Sequence, residues 1–318
     1  MKVAVFGLVF VAVVVASLCL GEQNYTPLGL IEALMQDEVA RQIVLHSRLP
    51  RLLMAVLIGS LLATSGAVTQ AVFANPLADP YIIGIASAAT FGAVLAYLLG
   101  FADYFYGVSG FVCCVAFSLL IFKLSGRATL ATLLLVGIAA SSFLGAFTSF
   151  FTYYIGEDSF RIVAWLMGNL GNASWQNVAI LTLPLVLCSG YFYAKHKELD
   201  IILSGDEEAQ NLGVNARKLK INLLLVSSLG VSFAVAFSGL IGFVGLIIPH
   251  AIRLFTRSYS HAVLLPFCLL GGGVFLLFCD TLARTLLAPV QVPIGIITAF
   301  IGAPFFLLLA LQAQGVRR

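Results

Sequence analysis

Few residues of this 318-residue chain have the type and spacing that chemistry at a protein site requires. The six cysteines all lie in apolar runs without CxxC spacing, so we expect buried structural thiols and not metal ligands. His250 follows a proline inside an apolar segment and has no second ligand nearby in sequence. Helix termination and backbone hydrogen bonding explain it better than metal binding does. We therefore predict no catalytic residue, no metal site and no cofactor.

The sequence also lacks its own energy source. No GxxxxGK[ST] motif occurs, and the glycine-rich segment 238–250 is not a dinucleotide fingerprint because no strand precedes it. Ion-coupled carriers generally use ionisable residues within the membrane, whereas here only Asp79, Asp103 and Asp280 lie near helix ends. Any transport by such a chain would therefore be either passive or driven by a separate ATPase.

Composition sets the class of protein. Hydrophobic residues make up 61% of the chain and charged residues 10%, against about 25% charged in a soluble domain. The net charge of +3 is too small to indicate a nucleic-acid partner. We predict a single all-α transmembrane domain over residues 1–318.

Ten stretches are apolar enough to span a bilayer, which takes about 20 residues. They are 3–20, 52–72, 81–99, 105–122, 129–155, 177–194, 221–238, 243–256, 262–280 and 293–312. The first is expected to be retained as a helix and not cleaved as a signal peptide. With the N-terminus inside, twelve basic residues fall on the cytoplasmic side and five outside, so both termini are predicted to be cytoplasmic.

Small residues recur at every fourth position in three of these stretches, which predicts close helix–helix seams. The stripes are Gly59-Ala63-Ala67-Ala71, Gly84-Ala88-Gly92-Ala96 and Gly137-Ser141-Gly145-Ser149. Segments 73–80 and 238–250 combine prolines and glycines and are predicted to be irregular at membrane depth.

The one long polar insert is 195–220, with five basic and five acidic residues. Residues 207–212 are predicted to form a short helix ended by Gly213. A docking element for a soluble partner accounts for the insert's length and amphipathic character, and an ordinary solvated loop remains the alternative.

Several motifs together resemble the FecCD-type permeases of ABC importers over roughly residues 40–312. They are Arg48-Leu-Pro-Arg51, Gly66-Ala-Val-Thr-Gln70, Asn75-Pro-Leu-Ala-Asp-Pro80, the glycine-rich segment 239–250, Asp280-Thr-Leu-Ala-Arg284 and Val292-Pro-Ile-Gly-Ile-Ile297. The resemblance implies a ten-helix fold like that of the cobalamin-importer permease. It also implies a second permease copy or a sister permease, an ABC ATP-binding subunit and a periplasmic substrate-binding protein as partners.

The resemblance assigns roles to particular residues. Arg48, Arg51 and Arg284, all placed outside by the charge count, would dock glutamates of the binding protein, since arginine pairs with carboxylate through two hydrogen bonds. The alternative is that they are anchors at the membrane interface. On the cytoplasmic side the insert would couple to the ATPase. The residues carried over for that role are Gly205, Glu207, Glu208, Leu212 and Gly213.

The predicted function is translocation of an iron-siderophore, haem or cobalamin-like metal chelate by alternating access across the bacterial inner membrane. The resemblance locates a cytoplasmic gate around Arg127–Thr132, but no gate side chain is assigned there. Two alternatives remain. An ion-coupled secondary transporter would carry a buried carboxylate, and an intramembrane enzyme would need facing acids or His/Asp pairs, for which only His250 and Asp280 are candidates.

Overall fold

The computed structural model describes residues 2–21, 24–102, 105–125 and 130–315, and the described part is built of helices and connecting turns. The α-helices are α1 Lys2–Cys19, α2 Pro27–Gln36, α3 Glu38–Ile43, α4 Leu49–Val72, α5 Ile85–Leu98, α6 Phe105–Ser125, α7 Leu130–Ile155, α8 Ser159–Leu166, α9 Trp175–Ala194, α10 His196–Ile202, α11 Asp206–Asn211, α12 Ala216–Ser238, α13 Val244–Thr256, α14 His261–Thr285 and α15 Ile294–Gly315. A π-helical turn, Val44–Arg48, joins α3 to α4.

The predicted all-α membrane fold is confirmed. Within the residues that the structure describes, six helices are long and apolar enough to cross a membrane, and four shorter apolar helices accompany them. In chain order these correspond to the ten predicted stretches. The third prediction began too early: residues 81–84 form turns, and α5 starts only after Gly84, whose φ of +93° places it in the left-handed region. The predicted gate region falls partly outside the described residues, which omit 126–129.

Helix α4 is the buried centre of the bundle, and its partner is α14. The two cross at Gly59 and Gly272, where a Cβ on either glycine would overlap the carbonyl oxygen of the other. Ala63, Ala67 and Ala71 continue the same face and are fully buried. The first small-residue stripe is therefore a backbone-to-backbone seam.

Two other predicted stripes are seams over part of their length. Gly92 packs against the backbone of α6, but Gly84 precedes its helix and does not belong to the stripe. On α7, Gly137 lies against Ile83, whereas a Cβ added at Gly145 would meet no neighbour within 4 Å and Ser149 is exposed. The spacing alone could not show that only half of the α7 stripe faces the bundle, because most of α7 lies on the surface of the chain.

Helix α13 contains Pro249, which has no N–H to donate to the carbonyl of Gly245 four residues earlier. The side chain of Gln70 on α4 compensates, because its Nε2 donates to that carbonyl oxygen at 3.2 Å. Gly66 allows the approach, since a Cβ there would overlap the same carbonyl. Arg253 Nη1 in turn donates to Gln70 Oε1 at 2.6 Å. Gly66 and Gln70 of one motif and Pro249 of another, distant motif thus form one structural unit.

Between α12 and α13 only residues 239–243 are non-helical, so the irregular segment predicted over 238–250 was too long: Ser238 ends α12, and residues 244–250 belong to α13. Gly239 and Phe243 both have positive φ, at +69° and +68°. The Phe243 ring fills the space that a side chain at Gly302 of α15 would need. An apolar cavity of about 700 Å³ lies beside this segment, lined by Met167, Leu240, Gly242, Phe243, Gly295, Ile296, Ala299, Phe300, Ala303 and Pro304.

The sequence analysis missed several short helices. Helices α2, α3 and α8 have ten residues or fewer, and hydropathy windows about 20 residues long cannot detect them. Local signals were present for the first two: Thr26 caps α2, which has proline at its first position, and Asp37 caps α3.

Candidate functional site

The three predicted docking arginines meet at one end of the bundle, which we call the arginine end. Arg48 closes the π-helical turn and Arg51 lies in the first turn of α4. Arg284 lies in the last turn of α14, one turn after Asp280. Because α4 and α14 run antiparallel, the start of one and the end of the other place these side chains around the same carboxylate.

Asp280 is the centre of this group, and it is fully buried. Arg51 Nη2 lies 2.9 Å from Asp280 Oδ1, and Arg51 Nε donates to both carboxylate oxygens at 3.0 and 3.2 Å. Arg284 Nε lies 3.0 Å from Asp280 Oδ2. Arg51 Nη1 also donates to Gln291 Oε1 at 2.8 Å. One buried carboxylate therefore orients two guanidinium groups.

The remaining contacts of the arginines are to the end of α1. Arg48 Nη1 donates to the carbonyl oxygen of Leu18 at 2.5 Å, and its guanidinium carbon lies 5.1 Å from the centre of the Tyr25 ring. Arg284 Nη2 donates to the carbonyl oxygen of Ser17 at 3.2 Å and to its hydroxyl at 3.0 Å. These inward contacts bury the arginines instead of extending them toward a lipid interface.

The guanidinium groups border a small cavity of about 210 Å³. Its lining consists of Gly21, Ile43, Ser47, Arg48, Arg51, Arg284 and Gln291. Three of these are arginines and no lining residue is acidic. A cavity of this composition favours an anionic group, and a carboxylate is the group that pairs with an arginine fork in two hydrogen bonds.

Sequence reasoning missed the role of Asp280. It placed this residue near a helix end and found no buried carboxylate, which the fully buried Asp280 contradicts. The spacing of Asp280 and Arg284 was the available signal, since residues four apart on a helix face each other. Its pairing with Arg51, which is 229 positions away in the chain, required the fold.

The polar insert lies at the opposite end of α14, which we call the insert end. Outside the spanning helices the insert covers only residues 195–215. It is shorter than predicted because residues 216–220 already belong to α12. Helix α11 covers Asp206–Asn211, close to the predicted short helix. Gly205 and Gly213 have φ of +112° and +80°, a region that favours glycine. These turns leave α11 projecting from the bundle.

The predicted coupling residues form the exposed face of the insert. Glu207, Glu208 and Leu212 are exposed, while Ala209 on the other side of α11 is fully buried. Lys220 Nζ, at the start of α12, contacts Asp206 Oδ1 at 2.5 Å and holds α11 in place.

Two acidic residues of α10, the other helix of the insert, have polar partners, and of these only Asp200 contacts another helix of the bundle. Lys195 Nζ donates to Glu198 Oε1 at 2.9 Å, and this hydrogen bond lowers the pKa of the Glu198 carboxyl. Asp200 contacts the start of α14: its Oδ1 accepts from the His261 backbone N–H at 2.8 Å and lies 2.6 Å from His261 Nδ1. Ser260 Oγ donates to Asp200 Oδ2 at 2.9 Å.

His250 is placed differently from the prediction. It lies inside α13 and does not end a helix, because Gln70 compensates for the hydrogen bond that Pro249 removes. The ring packs edge-on against Phe305 of α15, with the ring centres 5.9 Å apart. Within the described residues, no group of three or more His, Cys, Asp or Glu side chains is arranged to hold a metal ion.

Comparison with known proteins decides the family. Residues 9–312 match the FecCD transport family. The chain belongs to the FecCD transport family. As a member of this family it is a transport permease subunit of an ABC importer, and the ATPase activity lies in separate subunits. The predicted family and the absence of an ATPase in this chain are thus confirmed.

Relatives in the family differ in their cargo. A hemin transport permease of Yersinia pestis is 40% identical over 324 residues, covering 97% of this chain and 96% of that relative. A cobalamin import permease of Halobacterium salinarum is 42% identical over 277 residues, covering 86% of this chain and 74% of that relative. A molybdate import permease of Haemophilus influenzae is 36% identical over 316 residues, covering 95% and 93%.

A solved structure shares the fold. It is an inward-facing metal-chelate type ABC transporter, superimposes with a TM-score of 0.87 at 35% identity, and covers 96% of this chain and 97% of its own. The FecCD permease described here shares the fold of that transporter. Its own cargo is a separate question.

Proposed function

We propose that this permease receives a metal chelate from a periplasmic binding protein at the arginine end and releases it to the cytoplasm by alternating access, driven by ATP-binding subunits at the insert end. The observation that carries this proposal is the arrangement of α14 in a FecCD permease. An arginine-lined cavity lies at one end of α14, and an exposed amphipathic insert lies at the other. In this arrangement the arginine end faces the periplasm of a bacterial inner membrane, and both termini are cytoplasmic.

Docking of the binding protein rests on Arg48, Arg51 and Arg284. Asp280 neutralises only part of their charge, so a carboxylate from a partner would enter a cavity that already presents oriented guanidinium groups. Preorganised donors of this kind add specificity as well as attraction.

Neutral variants test this docking better than charge reversal does, because a glutamate at 284 would bury a second carboxylate beside Asp280. We expect Arg51→Gln to weaken binding of the periplasmic protein to the permease in nanodiscs by about 30-fold or more. Arg41→Gln is the matched control, since Arg41 lies on α3, is 53% exposed and reaches only Glu38 at 3.8 Å. Equal affinities of the two variants would contradict docking at this cavity.

The ATPase contact rests on the exposed face of α11. Leu212 is 61% exposed beside the acidic Glu207 and Glu208, a combination that a soluble partner can cover. Leu212→Asp should release a co-expressed ATP-binding subunit in a pull-down, while Glu198→Gln on α10 should retain it. If Leu212→Asp retains the subunit as well, the coupling role of this face is wrong.

The cargo is proposed to be a bulky chelate such as a ferric siderophore, haem or a corrinoid. All ten residues that line the large cavity beside 239–243 are apolar or glycine. Such a lining suits a chelate that shields its metal within an organic ligand better than a bare oxyanion, which would lose its hydration without compensation. Binding of labelled ferric chelates, haem, cobalamin and molybdate to the cognate periplasmic protein will distinguish them. Selective binding of molybdate would exclude this cargo class.

A second permease, either another copy or a sister subunit, is proposed to cover the face that carries this cavity. The backbone of 239–243 is non-helical, and such backbone at membrane depth requires protein or water beside it. Phe300 is 74% exposed on the same face. Native mass spectrometry of the purified transporter should give two permeases per particle. An active particle with one permease would contradict this assembly.

An ion-coupled secondary transporter is the alternative. Its strongest candidate residue would be Asp280, but this buried carboxylate is already engaged in ion pairs with Arg51 and Arg284. Concentrative uptake by the permease alone in liposomes, without any ATP-binding subunit, would favour the alternative.

A further inference from the structure

The first turn of α14 is capped by a residue from another helix. Its own N-cap residue, Ser260, makes no capping hydrogen bond from its side chain to the backbone. Instead, Asp200 of α10 accepts hydrogen bonds from the Ser260 hydroxyl at 2.9 Å and from the His261 backbone N–H at 2.8 Å, and also contacts the buried His261 ring. A carboxylate in this position satisfies an otherwise unpaired donor and interacts favourably with the helix dipole.

The far end of α14 belongs to the arginine end. Asp280 and Arg284 lie in its last two turns and contact Arg51 and the end of α1. The helix has 25 residues, so its ends are about 37 Å apart. One continuous helix therefore joins a side chain of the insert to the proposed docking cavity.

Helix α14 does not act alone, because α4 is packed rigidly against it. At Gly59 and Gly272 the two backbones touch, and Gly273 leaves similarly little space beside Val56 and Ser60. Such contacts have discrete arrangements and do not deform continuously. A displacement of the arginine end, where both helices carry docking arginines, is therefore expected to move the insert end of α14 as well.

We propose that Asp200 is the positioning residue through which the binding protein, once docked, alters ATP hydrolysis. This inference rests on the proposed function. Docking fixes the position of the α4–α14 pair, and Asp200 transmits that position to α10. The exposed face of α11 follows α10 in the chain and meets the ATPase. Without the Asp200 contact, docking and hydrolysis would both continue, but neither would respond to the other.

The test is the ratio of ATP hydrolysis with and without the binding protein, in nanodiscs that contain permease and ATP-binding subunit. We expect Asp200→Ala to reduce this ratio about fivefold or more, the lower range of a typical coupling between sites. Affinity for the binding protein should stay within about twofold. Glu198→Gln, on the same helix but paired with Lys195, is the matched control and should keep the ratio of the wild type. A normal ratio in Asp200→Ala overturns the proposal.

A conservative variant separates a mechanical link from a general loss of structure. Asp200→Asn keeps an oxygen that can accept from the His261 backbone N–H and an amide that can bond to the Ser260 hydroxyl, so it should retain most of the wild-type ratio. If Asp200→Asn docks the binding protein normally but loses the ratio as fully as Asp200→Ala, the proposal is wrong.

A measurement on the permease alone distinguishes failure of this inference from failure of the proposed function. Amide hydrogen exchange at residues 261–264 should be faster in Asp200→Ala than in Glu198→Gln, because only the former loses the cap. Equal exchange would overturn the role of Asp200. A wild-type permease that binds no ATP-binding subunit would instead refute the proposed function.

Discussion

Replacing Gly272 by alanine is expected to destabilise the bundle at its centre. The added methyl group would overlap the carbonyl oxygen of Gly59 and lie 2.5 Å from the Cβ of Ala63, whereas ordinary van der Waals contact begins at 3.4 Å. The two helices would have to separate by about 1 Å, which forfeits up to half of the dispersion energy at each affected contact. Neither obstacle can rotate away, since one is backbone and the other is a Cβ.

The magnitude follows from two opposing effects. Overpacking of a well-packed core costs about 3 kcal/mol at the upper end of its usual range. Alanine in place of a helix-interior glycine returns about 1 kcal/mol. The net loss is about 2 kcal/mol, which corresponds to a fall of about 4 °C in the apparent Tm at roughly 2 °C per kcal/mol for a chain of this size.

Gly190→Ala provides the control. Gly190 lies inside α9 and is exposed, and no atom lies within 4 Å of the position that a Cβ would occupy there. The alanine variant therefore gains helix stability without a steric overlap. Its apparent Tm should rise by about 2 °C. Thermal unfolding of both variants in the same nanodiscs measures the difference. If Gly272→Ala is as stable as Gly190→Ala, the backbone contact between α4 and α14 has been misread.

Three further outcomes are expected. Asp280→Asn leaves the guanidinium groups of Arg51 and Arg284 without a counter-charge, which should lower the free energy of unfolding by about 3–5 kcal/mol and the apparent Tm with it. A fall in Tm of less than about 2 °C would contradict this. Gln70→Leu leaves both the Gly245 carbonyl and the Arg253 guanidinium without their partner, so the free energy of unfolding should fall by about 2–3 kcal/mol in a thermal measurement. An unchanged Tm would exclude the compensation for Pro249. Gly205→Ala forces a non-glycine residue to φ near +112°, which costs about 1–3 kcal/mol of backbone strain. Amide exchange should therefore accelerate across 203–213 with little change in the Tm of the bundle, and normal exchange there would contradict the strain.

Hydropathy alone predicted the ten apolar helices found among the described residues, because each contains a long apolar stretch. It could not predict where the chain turns within the membrane. The third predicted helix starts at Ile85 and not at 81, because residues 81–83 lie in turns: Ile83 packs against Gly137 of α7, and the Tyr81 hydroxyl donates to the carbonyl oxygen of Ile241 at 3.4 Å. Apolar character reports contact with protein or lipid, and it does not distinguish helix from turn when the turn is buried.

The arginine cluster also could be predicted only in part from the sequence. The family resemblance selected Arg48, Arg51 and Arg284, and the fold brings them together. The sequence could not reveal that Asp280 orients two of them, because the pairing of Arg51 with Asp280 depends on the antiparallel packing of α4 and α14. The predicted docking role itself stays a prediction until binding is measured.

At the centre of the bundle the main chains of Gly59 and Gly272 are in direct contact, and large buried side chains of the same two helices, such as Ile58 and Leu276, pack around them. Such a frame places little demand on the outward surfaces of α7 and α15, where Phe143 and Phe300 are 64% and 74% exposed. Substitutions on those surfaces can change the size and polarity of the exposed side chains while the frame stays intact. One scaffold can in this way accept varied outer surfaces without losing its centre.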